Sequence, residues 1–268
     1  MRVNLGVRLA AMIRRVRLAA IGLSIVLVVC LWAFRRDDDP VYNGRSLSAW
    51  LDQRIKRADG TEGLSDPAID AVQDLGPDVI PQLLKWLQRT DPPGFQQLRY
   101  GASIPVPLND AWRTRAFLGF RALGSSGAWA IPELVDLTLH AADADVRGAA
   151  INSLTYGHPE IDRLLSQALR NSDVQTRRRA VFALASLRPR ADLDVLLTAA
   201  QDDVDLEVRR VAIRALGSYS GPLLPSSTLK ILRQLTFDPN GEISSAAQSA
   251  IDQQTEYRRM VLGAAGSE

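Results

Sequence analysis

Arginine is the residue type whose number and spacing in this chain could do chemistry. All but three of the 32 basic residues are arginines, and a guanidinium can hold a carboxylate or a phosphate group through two parallel hydrogen bonds. Some of these arginines stand six or two residues before a leucine that recurs along the chain, so they lie on the helix face opposite to it. With an asparagine and a phenylalanine that stand at the same positions, the candidates for contact with a partner are Arg121, Asn152, Arg178, Phe182, Arg210 and Arg214.

Arg121, Arg178, Arg210 and Arg214 are therefore predicted to form a basic strip. An acidic peptide, an anionic glycan or a phosphate group would suit such a strip. The alternative is that they are solvated arginines on a helix face with no ligand.

No arrangement for catalysis or metal binding accompanies these arginines. His140 and His158 are the only histidines, and neither stands in an H-E-x-x-H motif or at a cysteine–histidine spacing, so we expect no metal site. Cys30 is the only cysteine, which excludes an internal disulfide framework. The nucleophile elbow, the phosphate-binding loop and the dinucleotide-binding glycine motif are all missing from the sequence. We therefore expect a protein without enzymatic activity and without a cofactor.

The elements that must position the arginines form an internal repeat. A small residue is followed four positions later by leucine or isoleucine in six places: Ala71/Leu75, Gly119/Leu123, Ala150/Leu154, Ala180/Leu184, Ala212/Leu216 and Ala247/Ile251. The leucine or isoleucine of each pair is called its anchor below. The last five pairs come at intervals of 31, 30, 32 and 35 residues. A period of this size indicates stacked helical units, because one unit cannot bury its apolar face alone.

Two kinds of helix are predicted to alternate along the repeat. One kind carries spaced leucines, often after a proline, which suits the first turn because it lacks an N–H. The other kind carries the small residue, which lets two helices approach closely. Ser46 is predicted to cap the first helix, and glycines that follow helices are predicted to form left-handed caps at Gly76, Gly124, Gly157 and Gly217. No segment alternates with period two, so we expect an all-α fold with essentially no sheet.

The pattern resembles HEAT repeats of the short bacterial D-x-V-R-x-x-A-x-x-A-L type. The resemblance covers residues 46–258, about six helix pairs, and is strongest over 129–218, where Arg147, Arg177 and Arg209 stand seven residues before their anchors. It implies an α-solenoid in which the acid and the arginine of each motif form a structural ladder between neighbouring units. The ladder residues are Asp145, Arg147, Arg177, Glu207 and Arg209. It also implies that the basic strip faces the concave surface.

One insertion interrupts the repeat at residues 90–110. The segment is rich in proline and glycine, and it is long for a loop in a compact array. Phe95 and Tyr100 are among its apolar residues. Two interpretations stay open: the loop packs across its own repeat, or it binds a partner.

The N-terminal segment predicts a membrane anchor. Residues 1–17 contain five arginines and no acid, residues 18–34 are an uncharged apolar run, and residues 35–45 form a polar linker. Seventeen residues reach about 25 Å as a helix, at the short end for a bilayer. Five arginines before the run and two after it place the N-terminus in the cytoplasm and residues 46–258, with a flexible tail at 259–268, in the periplasm of a bacterial inner membrane.

Taken together, these features favour a membrane-tethered scaffold that binds proteins or peptides. The anchor, the Tyr42–Leu51 segment and the insertion resemble membrane-anchored HEAT proteins of Verrucomicrobia. Phycobilin lyases carry similar short repeats, so chromophore handling is an alternative, although those proteins lack an N-terminal span. Nucleic-acid binding by the basic strip is a further alternative. It is disfavoured because, without the five N-terminal arginines, 27 basic residues face 30 acidic ones.

Overall fold

The computed structural model describes residues 39–56, 62–90, 109–154, 158–187, 193–219 and 224–265. The predicted span at 18–34 and most of the insertion, with Phe95 and Tyr100, lie outside these ranges. Within them, no helix combines the length and the apolar character needed to cross a membrane.

The described residues form a helical array with two small hairpins near its start, one before α1 and one between α1 and α2. The strands are β1 (Val41–Tyr42), β2 (Arg45–Ser46), β3 (Arg54–Lys56) and β4 (Glu62–Leu64). The helices are α1 (Leu47–Leu51), α2 (Asp66–Leu75), α3 (Ile80–Leu87), α4 (Asn109–Leu123), α5 (Ile131–His140), α6 (Ala144–Ser153), α7 (Pro159–Ala168), α8 (Val174–Ser186), α9 (Leu193–Asp202), α10 (Leu206–Gly217), α11 (Ser226–Leu235) and α12 (Gly241–Ala265). Short 3₁₀ segments at Gly76–Val79 and Gly124–Ala130 lead into α3 and α5.

The predicted alternation of two helix kinds is confirmed. Each small residue lies on an even-numbered helix, and Ala150, Ala180, Ala212 and Ala247 are completely buried. Each even-numbered helix from α4 to α12 contacts the odd-numbered helix that precedes it, and it also contacts helices of the neighbouring pairs. Because neighbouring helices share one continuous row of buried aliphatic side chains, each pair completes the core of the next.

Local signals in the sequence explain most helix ends. Ser46 accepts a hydrogen bond from the Ala49 N–H, as its predicted role as a cap requires. Gly76 and Gly124 have φ of 60° and 54°, which confirms two of the left-handed caps. Gly217 lies inside α10 instead, and Gly157 is outside the described residues. The last helix continues to Ala265, past residue 258, where the array was expected to end.

The two hairpins correct the expectation of a chain essentially without sheet. Asn43 and Gly44 both have positive φ, which is the geometry of a two-residue turn between β1 and β2. Tyr42 donates to the Asp74 carboxylate on α2, and its carbonyl accepts from the Trp50 indole at 3.1 Å. β3 pairs with β4 farther along the chain. Strands of two or three residues are too short for alternating hydrophobicity to reveal them.

Candidate functional site

One of the predicted contact residues is an exposed aromatic side chain on an even-numbered helix. Phe182 on α8 is 57% exposed, although α8 also contributes the fully buried Ala180 and Val181 to the core. Asn152 on α6 and Arg214 on α10 are exposed as well. All three stand two residues before their anchors, as the sequence predicted for residues that point away from the core. We call these three residues the contact row.

Two arginines of the predicted basic strip are bound by acids. Arg178 donates from Nε and Nη2 to both carboxylate oxygens of Asp205, at 2.8 and 2.6 Å. This hydrogen bond raises the pKa of Arg178 and lowers the pKa of Asp205. Arg210 binds Glu207, one turn earlier on its own helix. Since both guanidinium groups are neutralised, the strip carries less positive charge than the sequence alone suggests.

Arg121 also stands two residues before its anchor and is exposed, on α4 near the start of the array. Its guanidinium carbon is 5.4 Å from the centre of the Phe117 ring, a distance at which a cation is attracted by the ring face. The side chain also borders a cavity of about 180 Å³ with Ile69 and Gln73 of α2 and Gly63 of β4. Arg121 therefore lies at the edge of a small depression between α2, α4 and β4.

Two of the predicted ladder arginines, Arg177 and Arg209, bind acids of the next unit, but not the acids that the sequence pattern pairs with them. Arg177 donates from Nε and Nη2 to the two oxygens of Asp203, and Nη1 donates to the carbonyls of Asn171 and Ser172. Arg209 binds Asp238 of the next unit through Nη2 alone, while its Nε donates to the Ala200 carbonyl at 3.1 Å, and the contact with Arg209 lowers the pKa of Asp238. We call these two contacts the turn ladder, because Asp203 and Asp238 stand in the turns between an odd-numbered and an even-numbered helix.

The acids that the sequence placed in the ladder have other partners. Glu207 binds Arg210 rather than Arg209. Asp145 lies 3.6 Å from Arg113, a buried arginine of α4 that also binds Asp143 and the Arg89 carbonyl. The D-x-V-R motif pairs an acid with the arginine two residues later. In the structure, the ladder arginine instead binds the acid that stands thirteen residues before the anchor of the next unit. This spacing is present in the sequence and could have identified the partner acids.

A third predicted ladder arginine, Arg147, has no acid partner among the described residues. Its Nη1 donates to the carbonyls of Ala141 and Ala142, both at 2.8 Å, as Arg177 donates to two turn carbonyls. The position equivalent to Asp203 in the next unit is occupied by Asn171. The guanidinium of Arg147 is thus oriented like that of Arg177 without the carboxylate.

Trp112 lies next to the point where the insertion rejoins the array. It stands in the first turn of α4 and packs against Trp86 of α3, with 5.1 Å between ring centres. The guanidinium groups of Arg89 and Arg115 each lie 4.4 Å from its ring centre. Arg115 also donates from Nε and Nη2 to the two carboxylate oxygens of Asp52, at 2.9 and 2.7 Å. Helices α3 and α4 are thereby fixed at both ends of the inserted segment.

No cluster of potential ligands for a metal ion occurs among the residues that the structure describes. His140 lies 4.0 Å from Asp136 on the same helix, and His158 uses its Nδ1 to accept from the Glu160 N–H. The two histidines therefore serve separate local contacts.

In the comparison with known proteins, the C-terminal part of the array is similar to a protein-family model. Residues 161–252, from the first turn of α7 to the middle of α12, match the family model described as HEAT repeats. No curated protein matches the chain.

Solved structures that resemble the chain include an engineered protein of a structural genomics consortium, with 18% identity over 79% of this chain and 96% of that chain and a TM-score of 0.35. Another is human deoxyhypusine hydroxylase in complex with glycerol, with 18% identity, 71% and 78% coverage and a TM-score of 0.39. A third is a designed armadillo repeat protein in complex with the peptide (KR)4, with 16% identity, 70% and 92% coverage and a TM-score of 0.34. The HEAT match describes a helical-repeat fold for residues 161–252.

Proposed function

We propose that the chain is a membrane-tethered scaffold without catalytic activity, which holds a protein or peptide partner on the contact row and on the insertion at 90–110. The observation that carries the proposal is the exposure of Phe182 between two exposed polar side chains. Aromatic side chains and arginine are enriched at the cores of protein–protein interfaces.

The charge distribution favours a polypeptide partner over a nucleic acid. Arg178 and Arg210 are bound by Asp205 and Glu207, so the face has few free cations to neutralise a run of phosphates. One exposed ring, one amide and one cation offer instead the mixed chemistry of a peptide-binding surface. We therefore do not propose nucleic-acid binding.

Site-specific photo-crosslinking in cells tests the partner surface. A photoreactive phenylalanine analogue replaces Phe182 in one strain and Phe237 in another. Phe237 is a suitable control because it is 87% exposed but lies in the turn before α12. We expect a discrete crosslinked adduct from position 182 that weakens when Arg214 is replaced by glutamate. An adduct of equal strength from position 237, or none from position 182, would refute the contact row.

The tether is tested separately by a topology experiment. A reporter that is active only outside the cytoplasm is fused after Asp39 in one chain and before Leu18 in another. The proposal that the array lies in the periplasm requires activity from the first fusion only. Activity from neither fusion would place the array in the cytoplasm and remove the membrane part of the proposal.

A further inference from the structure

The depression beside Arg121 combines an apolar floor with a polar rim. The floor is formed by the buried side chains of Leu64, Leu118 and Ala122. Arg121 and Gln73, which are both exposed, stand at the rim. The volume of about 180 Å³ is comparable to that of an engineered cavity of about 150 Å³ that binds benzene, so the depression can accept one branched aliphatic side chain.

Each polar side chain at the rim is oriented by a contact within the array. Nε2 of Gln73 donates to the Ala122 carbonyl at 3.2 Å, which leaves Oε1 as an acceptor. The same bond satisfies a carbonyl in the last turn of α4, which would otherwise repel an anion. The Arg121 guanidinium lies over the Phe117 ring, and no carboxylate contacts it among the described residues. The rim therefore offers one cation and one hydrogen-bond acceptor.

The chemistry of the depression specifies three groups on a ligand. None of the described residues that line it is an acid, and Asp74, next to Gln73 in the chain, accepts from Tyr42 instead. A ligand therefore needs an apolar group for the floor, an anion for Arg121 and an N–H for Gln73. The last residue of a polypeptide has all three on one Cα when its side chain is aliphatic.

The depression lies where the contact row reaches the start of the array. Arg121 on α4 and Asn152 on α6 each stand two residues before their anchors, and these two helices are in contact. The other walls of the depression belong to α2 and β4, which are among the elements that begin the array. A polypeptide that lies on the contact row would therefore reach the depression with one of its ends.

We propose that the depression binds the C-terminal residue of the partner, with an aliphatic side chain between Ile69 and Leu118 and the terminal carboxylate on Arg121. Gln73 Oε1 accepts from the N–H of the same residue. A guanidinium can hold a carboxylate through two parallel hydrogen bonds, so the site selects a free chain end over an amide. The inference rests on the proposed function, because it takes the partner to be a polypeptide on the contact row.

The test titrates the full chain in detergent with N-acetyl-leucine and measures binding by saturation-transfer NMR, with an affinity expected in the millimolar range for a ligand of this size. N-acetyl-leucinamide lacks the charge and N-acetylglycine lacks the side chain, so each should bind about threefold or more weakly. Arg121→Gln should remove the preference for the acid over the amide. Arg214→Gln is the matched control and should keep it, because Arg214 is also exposed two residues before its anchor but does not line the depression.

Three results would overturn the proposal: no binding of N-acetyl-leucine, equal binding of N-acetylglycine, or a preference for the acid that persists in Arg121→Gln. Free leucine separates a chain end from a free amino acid, because its ammonium group meets no acid in the lining of the depression. Free leucine that binds as tightly as N-acetyl-leucine would overturn the assignment to a polypeptide. Since the titration does not involve Phe182, a failure of this site and a failure of the contact row can be told apart.

Discussion

Two glycines on even-numbered helices provide a quantitative test of how the array is packed. A Cβ built on Gly217 would lie 2.7 Å from the Cα and 2.8 Å from the Cβ of Ala250 on α12. A Cβ on Gly148 of α6 would meet no atom within 4 Å. The same substitution by alanine therefore adds a methyl group to a closed helix contact in one case and to open space in the other.

The expected effects have opposite signs. Gly148→Ala should stabilise the chain by about 0.5–1 kcal/mol, because glycine inside a helix loses more backbone entropy on folding. Gly217→Ala should destabilise it by about 1–3 kcal/mol, because the obstructing atom belongs to the backbone and the helices must separate. Gly119→Ala should fall between them, since its nearest neighbour is Leu83 Cδ2 at 2.6 Å, the end of a side chain that can rotate.

Urea unfolding of the full chain, followed by far-UV circular dichroism, measures these differences. We expect the two extreme variants to differ by about 1.5–4 kcal/mol in the free energy of unfolding. If Gly217→Ala is as stable as Gly148→Ala, then α10 and α12 do not meet at this distance. If both variants lose the same stability, the open space around Gly148 is wrong.

Three further predictions concern single contacts. Because its bond to Arg209 lowers the pKa of Asp238 in the folded chain, the stability from this contact is complete above the ordinary aspartate range and is lost as the pH falls through the lowered pKa; unfolding measured between neutral and acidic pH should show this loss, and Asp238→Asn should show less of it. Gln254→Ala should cost about 1–3 kcal/mol in urea unfolding, because the buried Nε2 donates to carbonyls at the end of α10; Gln248→Ala, on the exposed face of the same helix, should cost little. Trp112→Ala should cost about 2–4 kcal/mol and reduce the near-UV circular dichroism of Trp86, because the two rings are in contact; a near-UV spectrum that loses only the signal of the removed ring would contradict this packing.

The regular part of the fold could be predicted from the sequence, because it depends on short-range patterns. A small residue and a leucine four positions apart identify a helix that packs closely, and six such pairs locate the even-numbered helices. The β1–β2 hairpin depends instead on the turn at Asn43 and Gly44 and on a contact with the distant Asp74. Its strands of two residues are too short to show a pattern in the sequence. Tertiary contacts of this kind leave no periodic signal.

The candidate site was only partly predictable, because spacing gives the direction of a side chain and not its partner. The exposure of Phe182 and Arg214 follows from their position two residues before an anchor. The pairing of Arg178 with Asp205 could not be read in this way, since the two residues meet only when successive units stack. Asn171 could have been recognised by comparing it with Asp203 and Asp238 at thirteen residues before each anchor.

The β1–β2 hairpin has a mechanical consequence for the array. Its strands pair over two residues each, and the Pro40 carbonyl accepts from the Leu47 N–H at 2.7 Å, so the chain enters the domain beside the start of α1. A force applied to the chain on the N-terminal side of the hairpin would break these few hydrogen bonds one after another. The hairpin would therefore open at low force and lengthen the segment that precedes α1, while the stacked helices stay folded.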